Sequence, residues 1–317
     1  MTTSNQQMIQ KPKFGVAMST TGFKNMVSNT LRDPKTANNF VASIITAVAT
    51  NPLLQECDNK SILASGLLGA SLGLSPSAQL GQFYLVPYKQ KEKRDKQGNL
   101  LSPACTVAQF QMGYRGYIQL ALRSGQYADI DAIEIHEGEY LGRDKFTGKP
   151  KFSFIEDDDQ LETLPIVGYM AYFEYLNGFR KVIYWSKQKV LDHADRYSQA
   201  FSKISYQKIL NGEIPDSEMW KYSSFWYKDF DTMAKKTLLR QLISKWGIMS
   251  TEMQTAFERD NSFNDLSDNG EIISTEESEE SQEEVEVMNA EDVPNIPDAR
   301  TSATPPKRTG KVDMSAL

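Results

Sequence analysis

Apolar positions in the first third of the chain recur at helical spacing, then switch to alternation, and both patterns return further along. Phe23-Lys24-Asn25-Met26-Val27 begins a helix that must stop before Asp33-Pro34, because proline excludes helical backbone from the residue ahead of it. Phe40, Val41, Ile44, Ile45 and Val48 form an apolar stripe, predicting a helix over 36–49. A third helix is expected over Ser61–Leu72, with Asp58 as its N-cap. These helices carry few charges and are expected to pack on one another or on neighbouring subunits.

Alternation sets in at Gln82–Tyr88 and again at Thr106–Gln111, predicting a long hairpin around a polar loop that contains Gln97-Gly98-Asn99. Gly113–Ser124 reads as a helix ended by Gly125. Ala128–Ile135 reads as a strand, and residues 142–165 read as turns with one short strand at Phe152–Ile155. Ile166–Tyr175 and Phe179–Trp185 flank Leu176-Asn177-Gly178, where Asn-Gly supplies the positive φ angles of a tight turn. Ser186 caps a helix to about Phe201, and a long helix spans Ser223–Trp246 up to Gly247. Trp226, Phe230 and Trp246 are expected in the core.

The fold class that follows is α+β: N-terminal helices, a long β-hairpin and a small antiparallel sheet packed with a long α-helix, then a disordered acidic C-terminal tail. The expected division is a loose polar segment at 1–22, a body at 23–260 and the tail at 261–317. Residues 271–298 hold 11 acidic residues and no basic ones, too little apolar surface to offset ordering entropy.

Charge sharpens this division. The net charge is −6, but from Arg259 onward there are 5 basic and 15 acidic residues. Removing these from the 35 basic and 41 acidic residues of the whole chain leaves 30 and 26, so the body carries +4 and the tail −10. A basic body suits a polyanionic partner. No apolar run approaches the ~20 residues of a membrane span. The opening MTTSNQQMIQKPKF lacks an apolar signal core, which argues for the cytoplasm. Cys57 and Cys105 have neither metal-type nor redox-type spacing.

Enzymatic patterns are missing. His136 and His193 stand at no ligand spacing, and no G-x-S-x-G elbow occurs. Gly66, Gly69 and Gly73 lie in a helical pattern without the strand that a phosphate loop requires. Glu156–Asp159 reads as a solvated acidic turn ahead of a cation site, and Glu137/Glu139 show no sign of a raised pKa. No catalytic site, cofactor or metal is expected.

Basic residues interleaved with aromatics fare better. Lys235, Lys236 and Arg240 lie within two turns of the long helix, whose opposite stripe is apolar, so this basic face is expected to look outward. Lys187, Lys189 and Arg196 decorate the 186–201 helix beside Tyr197, and Tyr114, Arg115 and Arg123 sit on the helix after the first hairpin. The hairpin tip adds Lys89 and Lys91. Each group alone is also what a solvated helix face looks like. Together, before the acidic tail, they point to phosphate contacts with a single strand and to salt-sensitive binding.

The segments Gly73-Leu74-Ser75-Pro76, Tyr84-Leu85-Val86-Pro87-Tyr88, Gln109-Phe110-Gln111-Met112-Gly113-Tyr114-Arg115-Gly116-Tyr117 and Leu122-Arg123-Ser124-Gly125 occur in the order of the phage RecT family. So does Trp226 through Met233-Ala234-Lys235-Lys236-Thr237-Leu238-Leu239-Arg240. The chain resembles that family over roughly 25–250. The resemblance implies an ATP-independent annealing protein for single-stranded DNA that also holds the annealed duplex intermediate. It implies a homo-oligomeric ring or helical filament, phage or prophage encoding in a bacterial host, and a partner exonuclease. A host single-strand-binding protein is a candidate partner of the tail, whose other reading is a solubilising linker. Two alternatives stand beside annealing: a protein that protects single strands without pairing them, and a phage assembly protein. Residue types alone do not separate DNA from RNA.

Overall fold

The computed structural model describes residues 13–90, 92–94, 100–198, 200–260, 262–266 and 272–277. Five helices come first: α1 (Phe14–Met18), α2 (Thr21–Leu31), α3 (Pro34–Thr50), α4 (Pro52–Glu56) and α5 (Asn59–Ser71). Part of the segment expected to be loose, 1–22, is therefore structured: Phe14, Ala17 and Met18 are buried, Phe14 and Met18 one helical turn apart. Residues 1–12 lie outside the described residues. Asp33 and Asp58 cap α3 and α5, accepting from the Thr36 and Ser61 amides.

The innermost of these helices is α5, with ten of its thirteen residues buried. Its small residues permit this. A Cβ on Gly66 would stand 2.0 Å from the Ile44 side chain, and one on Gly69 would stand 2.3 Å from the Phe83 ring. Ile62, Leu63 and Leu67 beside them are fully buried, each contributing about 1.5–3 kcal/mol of transfer free energy.

The expected hairpin forms from β1 (Phe83–Gln90) and β4 (Cys105–Met112), registered from Phe83↔Met112 to Gln90↔Cys105. At its far end β2 (Lys93–Arg94) pairs with β3 (Leu100–Ser102), while Lys91 lies outside the described residues. A short helix, α6 (Tyr114–Arg123), follows and ends at Gly125 with φ 68°.

The second sheet has the order β5-β8-β9: β5 (Tyr127–His136), β8 (Ile166–Tyr175) and β9 (Arg180–Ser186), all antiparallel. The β8–β9 turn forms where expected, but of the Asn-Gly pair only Gly178 takes a positive φ (83°). Between β5 and β8, β6 (Tyr140–Arg143) pairs with β7 (Pro150–Phe152). The short strand thus lies at 150–152, ahead of the expected 152–155. Asp157 caps α7 (Asp158–Thr163), accepting from the Asp159 and Gln160 amides, so the acidic run opens a helix. Tyr140 and Phe152 pack with Tyr184 against one face of the sheet.

The opposite face takes the long helix. After α8 (Lys187–Tyr197) and α9 (Lys203–Leu210), the single helix expected over 223–246 is broken. α10 (Phe225–Lys228) ends at Asp229, which leaves helical backbone (φ −150°, ψ 69°) and caps α11 (Phe230–Trp246) through the Thr232 amide. Trp226 and Phe230 are core residues as expected. Trp246 is 37% exposed and is not.

The fold continues past 260, the expected boundary of the body. After α12 (Thr251–Arg259), β10 (Ser262–Leu266) pairs with β11 (Ile272–Glu277) and joins β4 through Phe263↔Gln109. Ser262 and Asn264 are buried, so the segment docks through polar groups that hydrophobic periodicity does not report. The remainder of the acidic tail lies outside the described residues.

Candidate nucleic-acid interface

The site begins with two close approaches. A Cβ on Gly113 would stand 2.0 Å from the Gly81 carbonyl oxygen, and one on Gly116 would stand 2.1 Å from that of Gln82. Only glycine lets the start of α6 lie against the chain entering β1, where the Gly113 amide donates to Gln82 O (2.9 Å). This contact fixes Tyr114 and Arg115 at the first turn of α6.

Tyr114 is half-buried and receives cations from two elements. Arg115 Cζ stands 5.7 Å from its ring centroid, and Arg115 Nε donates to its hydroxyl at 3.2 Å. Lys235 Nζ, from α11, stands 5.4 Å from the same ring. Lys235 also donates to Glu134 Oε1 on β5 at 2.8 Å. Burial disfavours the Lys235 charge, but the adjacent Glu134 carboxylate outweighs it and the net shift is upward. A ring flanked by two fixed cations offers an aromatic face for a base and positive charge for its phosphate.

Beside Tyr114 lies a cleft lined by Tyr84, Phe225, Met233 and Lys236. Tyr84 and Phe225 are 5.2 Å apart between ring centroids. Burial, with Asp229 adding to it, raises the Tyr84 hydroxyl pKa, which keeps the phenol neutral. The cleft encloses about 30 Å³, room for water and far too little for a base, so the surface presented is a platform. Neither Tyr84 nor Phe225 was among the expected contact residues, although Tyr84 opens one of the RecT-like segments. The alternation of β1, which buries Phe83 and Leu85, could have placed Tyr84 on the outward face.

The other candidates from α11 reverse an expectation. Lys236 and Arg240 do not look outward: they are 7% and 6% exposed and converge on Asp260, which is wholly buried. Lys236 Nζ lies 3.1 Å and Arg240 Nη1 3.2 Å from Asp260 Oδ2. The carboxylate also accepts from the Met112 amide at 2.8 Å and the Tyr117 hydroxyl at 2.9 Å. Arg240 donates to the Tyr117 hydroxyl oxygen as well (3.0 Å). Burial pushes the Asp260 carboxyl up, and the two cations and two donors more than reverse this, so its pKa lies below the ordinary value. Burial, with the Asp260 charge, pushes the Tyr117 hydroxyl well up. Lys236 and Arg240 therefore pin α12 to α11 and β4. The cause is that α11 is covered on more than one side: besides the sheet, α6 packs on it, and Asp260 at the end of α12 reaches its Lys236 and Arg240.

Arg123 also serves the fold, donating from Nη1 to Leu72 O (2.9 Å) and from Nη2 to Gly73 O (2.8 Å), the free carbonyls at the end of α5. Lys89 is exposed on β1, and Lys187 is half-buried at the start of α8. Lys189 Nζ lies 4.5 Å from the Trp185 ring, and Arg196 Cζ lies 5.9 Å from the Tyr197 ring. Of the ten candidates among the described residues, Tyr114, Arg115 and Lys235 form one cluster, Lys236 and Arg240 form a buried one, and the rest are dispersed.

A family model, that of the RecT family, matches residues 38–285. The chain belongs to the RecT family. It is 36% identical over 250 residues to the uncharacterized protein YqaK of Bacillus subtilis, covering 77% of this chain and 73% of that one. It is 26% identical over 237 residues to the protein RecT of Escherichia coli, covering 75% and 76%. RecT-family membership brings DNA binding, DNA recombination and single-strand annealing at the level of the family, whose annealing proteins are generally not catalysts. The RecT match runs through β10 and β11, in line with a body that extends past 260. Among the described residues no helix is long and apolar enough to cross a membrane.

Proposed function

We propose that this protein pairs complementary DNA strands without ATP, as an oligomer of a ring or filament type, by holding each strand through its phosphates. The observation that carries the reading is the Tyr114 ring flanked by Arg115 and Lys235 on a surface that has no room to enclose a base. Two separated strands repel through their phosphates, and a cationic platform offsets that repulsion. A platform also leaves the Watson–Crick edges outward, whereas a pocket would occlude them. Contacts of this kind are indifferent to sequence and weaken with salt.

Lys89, Lys91, Lys187, Lys189 and Arg196 are placed as further phosphate contacts. The acidic segment after Glu277 is placed as a docking tail for a partner such as a host single-strand-binding protein or an exonuclease, in the cytoplasm of a bacterial host. Removing residues 278–317 then preserves annealing in vitro and lowers recombination in cells. Loss of annealing itself counts against docking.

The test is pairing of two complementary dye-labelled 80-mers with the purified protein, no nucleotide and titrated salt. Acceleration above the spontaneous rate, suppressed by salt and reduced by Tyr114→Ala with Arg115→Ala, is the expected result. Binding without acceleration makes the protein a protective single-strand binder. No binding at low salt removes the nucleic-acid reading.

A further inference from the structure

The α11-facing side of β9 carries a feature that the Tyr114 cluster does not use. Register places Lys181 opposite Phe173 and Trp185 opposite Tyr169 on β8. Tyr169 reaches Asp231 of α11 with its hydroxyl, so both β9 residues project toward that helix. They are four residues apart, ~13 Å along the strand. At the turn end Lys181 Nζ stands 4.2 Å from the ring centroid of Trp246, and Lys245 Nζ stands 5.5 Å from it. At the other end Lys189 stands over Trp185.

The Trp246 backbone is held from below. The Tyr175 hydroxyl donates to Trp246 O and accepts from the Ile248 amide, both at 2.7 Å, while the Tyr127 hydroxyl donates to Ile248 O at 2.9 Å. Burial pushes the Tyr127 hydroxyl well up and keeps it a neutral phenol. Phe179, 48% exposed, stacks on Tyr175 and widens the aromatic surface. An exposed indole on a fixed backbone between two ammonium groups adds little to the core. Interface cores between protein copies, moreover, are depleted in lysine.

We propose that this face of β9 is a second contact line for a single strand, with bases stacking on Trp246 and Trp185 and with Lys181, Lys245 and Lys189 meeting phosphates. Indole stacking tolerates any base, and a lysine already beside the ring needs only a small swing to reach the phosphate of a stacked nucleotide. The Tyr114 cluster lies on the other flank of α11, where Lys235 meets Glu134 of β5, so the helix body of about 10 Å separates the two lines. One subunit thereby offers a place for each of two strands. The inference rests on the single-stranded DNA reading above.

The test is binding of a fluorescein-labelled oligothymidylate to the full chain, followed by anisotropy over a salt series. Lys181→Gln with Lys245→Gln is expected to lower the salt slope by about 1.4, two contacts at ~0.7 each. Trp246→Leu is expected to weaken binding roughly tenfold, the weight of one base stack, and Trp246→Phe to restore most of it. If Trp246→Leu fails to fold, the lysine pair decides alone. Unchanged affinity and slope in these variants, while Tyr114→Ala weakens binding, overturns the second line and leaves the first standing. A change of oligomeric state in sedimentation with unchanged affinity per subunit also overturns it, and assigns the face to contacts between copies. Absence of binding by the unaltered protein at low salt removes the functional reading and this inference with it.

Discussion

Lys235 and Lys236 are neighbours in sequence on one helix, and their fates are opposite. Lys235 reaches out along the β5 edge to Glu134 and over the Tyr114 ring, where solvent and a ligand can meet it. Lys236 turns inward with Arg240 to a carboxylate that no water touches. A helix advances 100° per residue, so adjacent positions differ in face by more than a quarter turn. Which face is buried depends on what else packs there. Here the acid that draws them in, Asp260, lies 24 residues beyond Lys236 and 20 beyond Arg240. Identical chemistry gives a binding group in one case and a structural lock in the other.

The sharpest way to break this contrast is to remove the acid at the centre of the lock. Asp260→Ala leaves two buried cations facing each other, and a loss of about 3–5 kcal/mol is expected in chemical denaturation. Replacing Lys236, Arg240 and Asp260 together by apolar residues of similar volume should cost far less, because desolvation of all three charges is then avoided. If the triple variant is as damaged as the single one, packing rather than charge holds the lock.

Gly116→Ala tests the close approach that seats the outer cluster. The methyl group meets the Gln82 carbonyl, and a loss of about 1–3 kcal/mol is expected in thermal melting, with weaker oligonucleotide binding alongside.

Acid addresses the lock with no mutation. The folded pKa of Asp260 is depressed, so its contribution is fully present above the ordinary carboxylate value of 3.8 and is lost as pH falls from there through the folded value. Melting temperature should drop more steeply below about pH 4 in the parent protein than in the triple apolar variant. Equal slopes would show that Asp260 is not the titrating group.

At the small end, Arg180→Ala removes an exposed pair with Glu174, 2.7 Å from Arg180 Nε to Glu174 Oε2. Exposed pairs of this kind are worth about 0–1 kcal/mol, so neither stability nor DNA binding should change measurably.

Much of the fold could be read from the chain because the signals were local. Asp58 as a cap, the helix stop at Asp33-Pro34, the Asn177-Gly178 turn, the β1–β4 alternation and the end of α6 at Gly125 all depend on residues within a few positions. The break at Asp229 was hidden because the apolar spacing of Trp226 and Phe230 runs straight through it. The strand pair β10–β11 was hidden because Ser262 and Asn264 are buried polar residues inside an acidic, weakly apolar stretch. At the site, Tyr114 and Arg115 were marked as neighbours, but their union with Lys235 joins positions 120 residues apart. The burial of Lys236 and Arg240 could not be foreseen, because apolar spacing marks the stripe facing the sheet and says nothing of a buried acid arriving from another element.

The central claim is that the outer cluster meets phosphate and that the fold does not need it. The direct measurement is the salt dependence of oligothymidylate binding for the parent and for Lys235→Gln, with melting temperature recorded on the same samples. A slope reduced by about 0.7 with melting nearly unchanged is the predicted result. An unchanged slope, or a slope that falls only together with the melting temperature, would contradict the assignment of Lys235 to DNA.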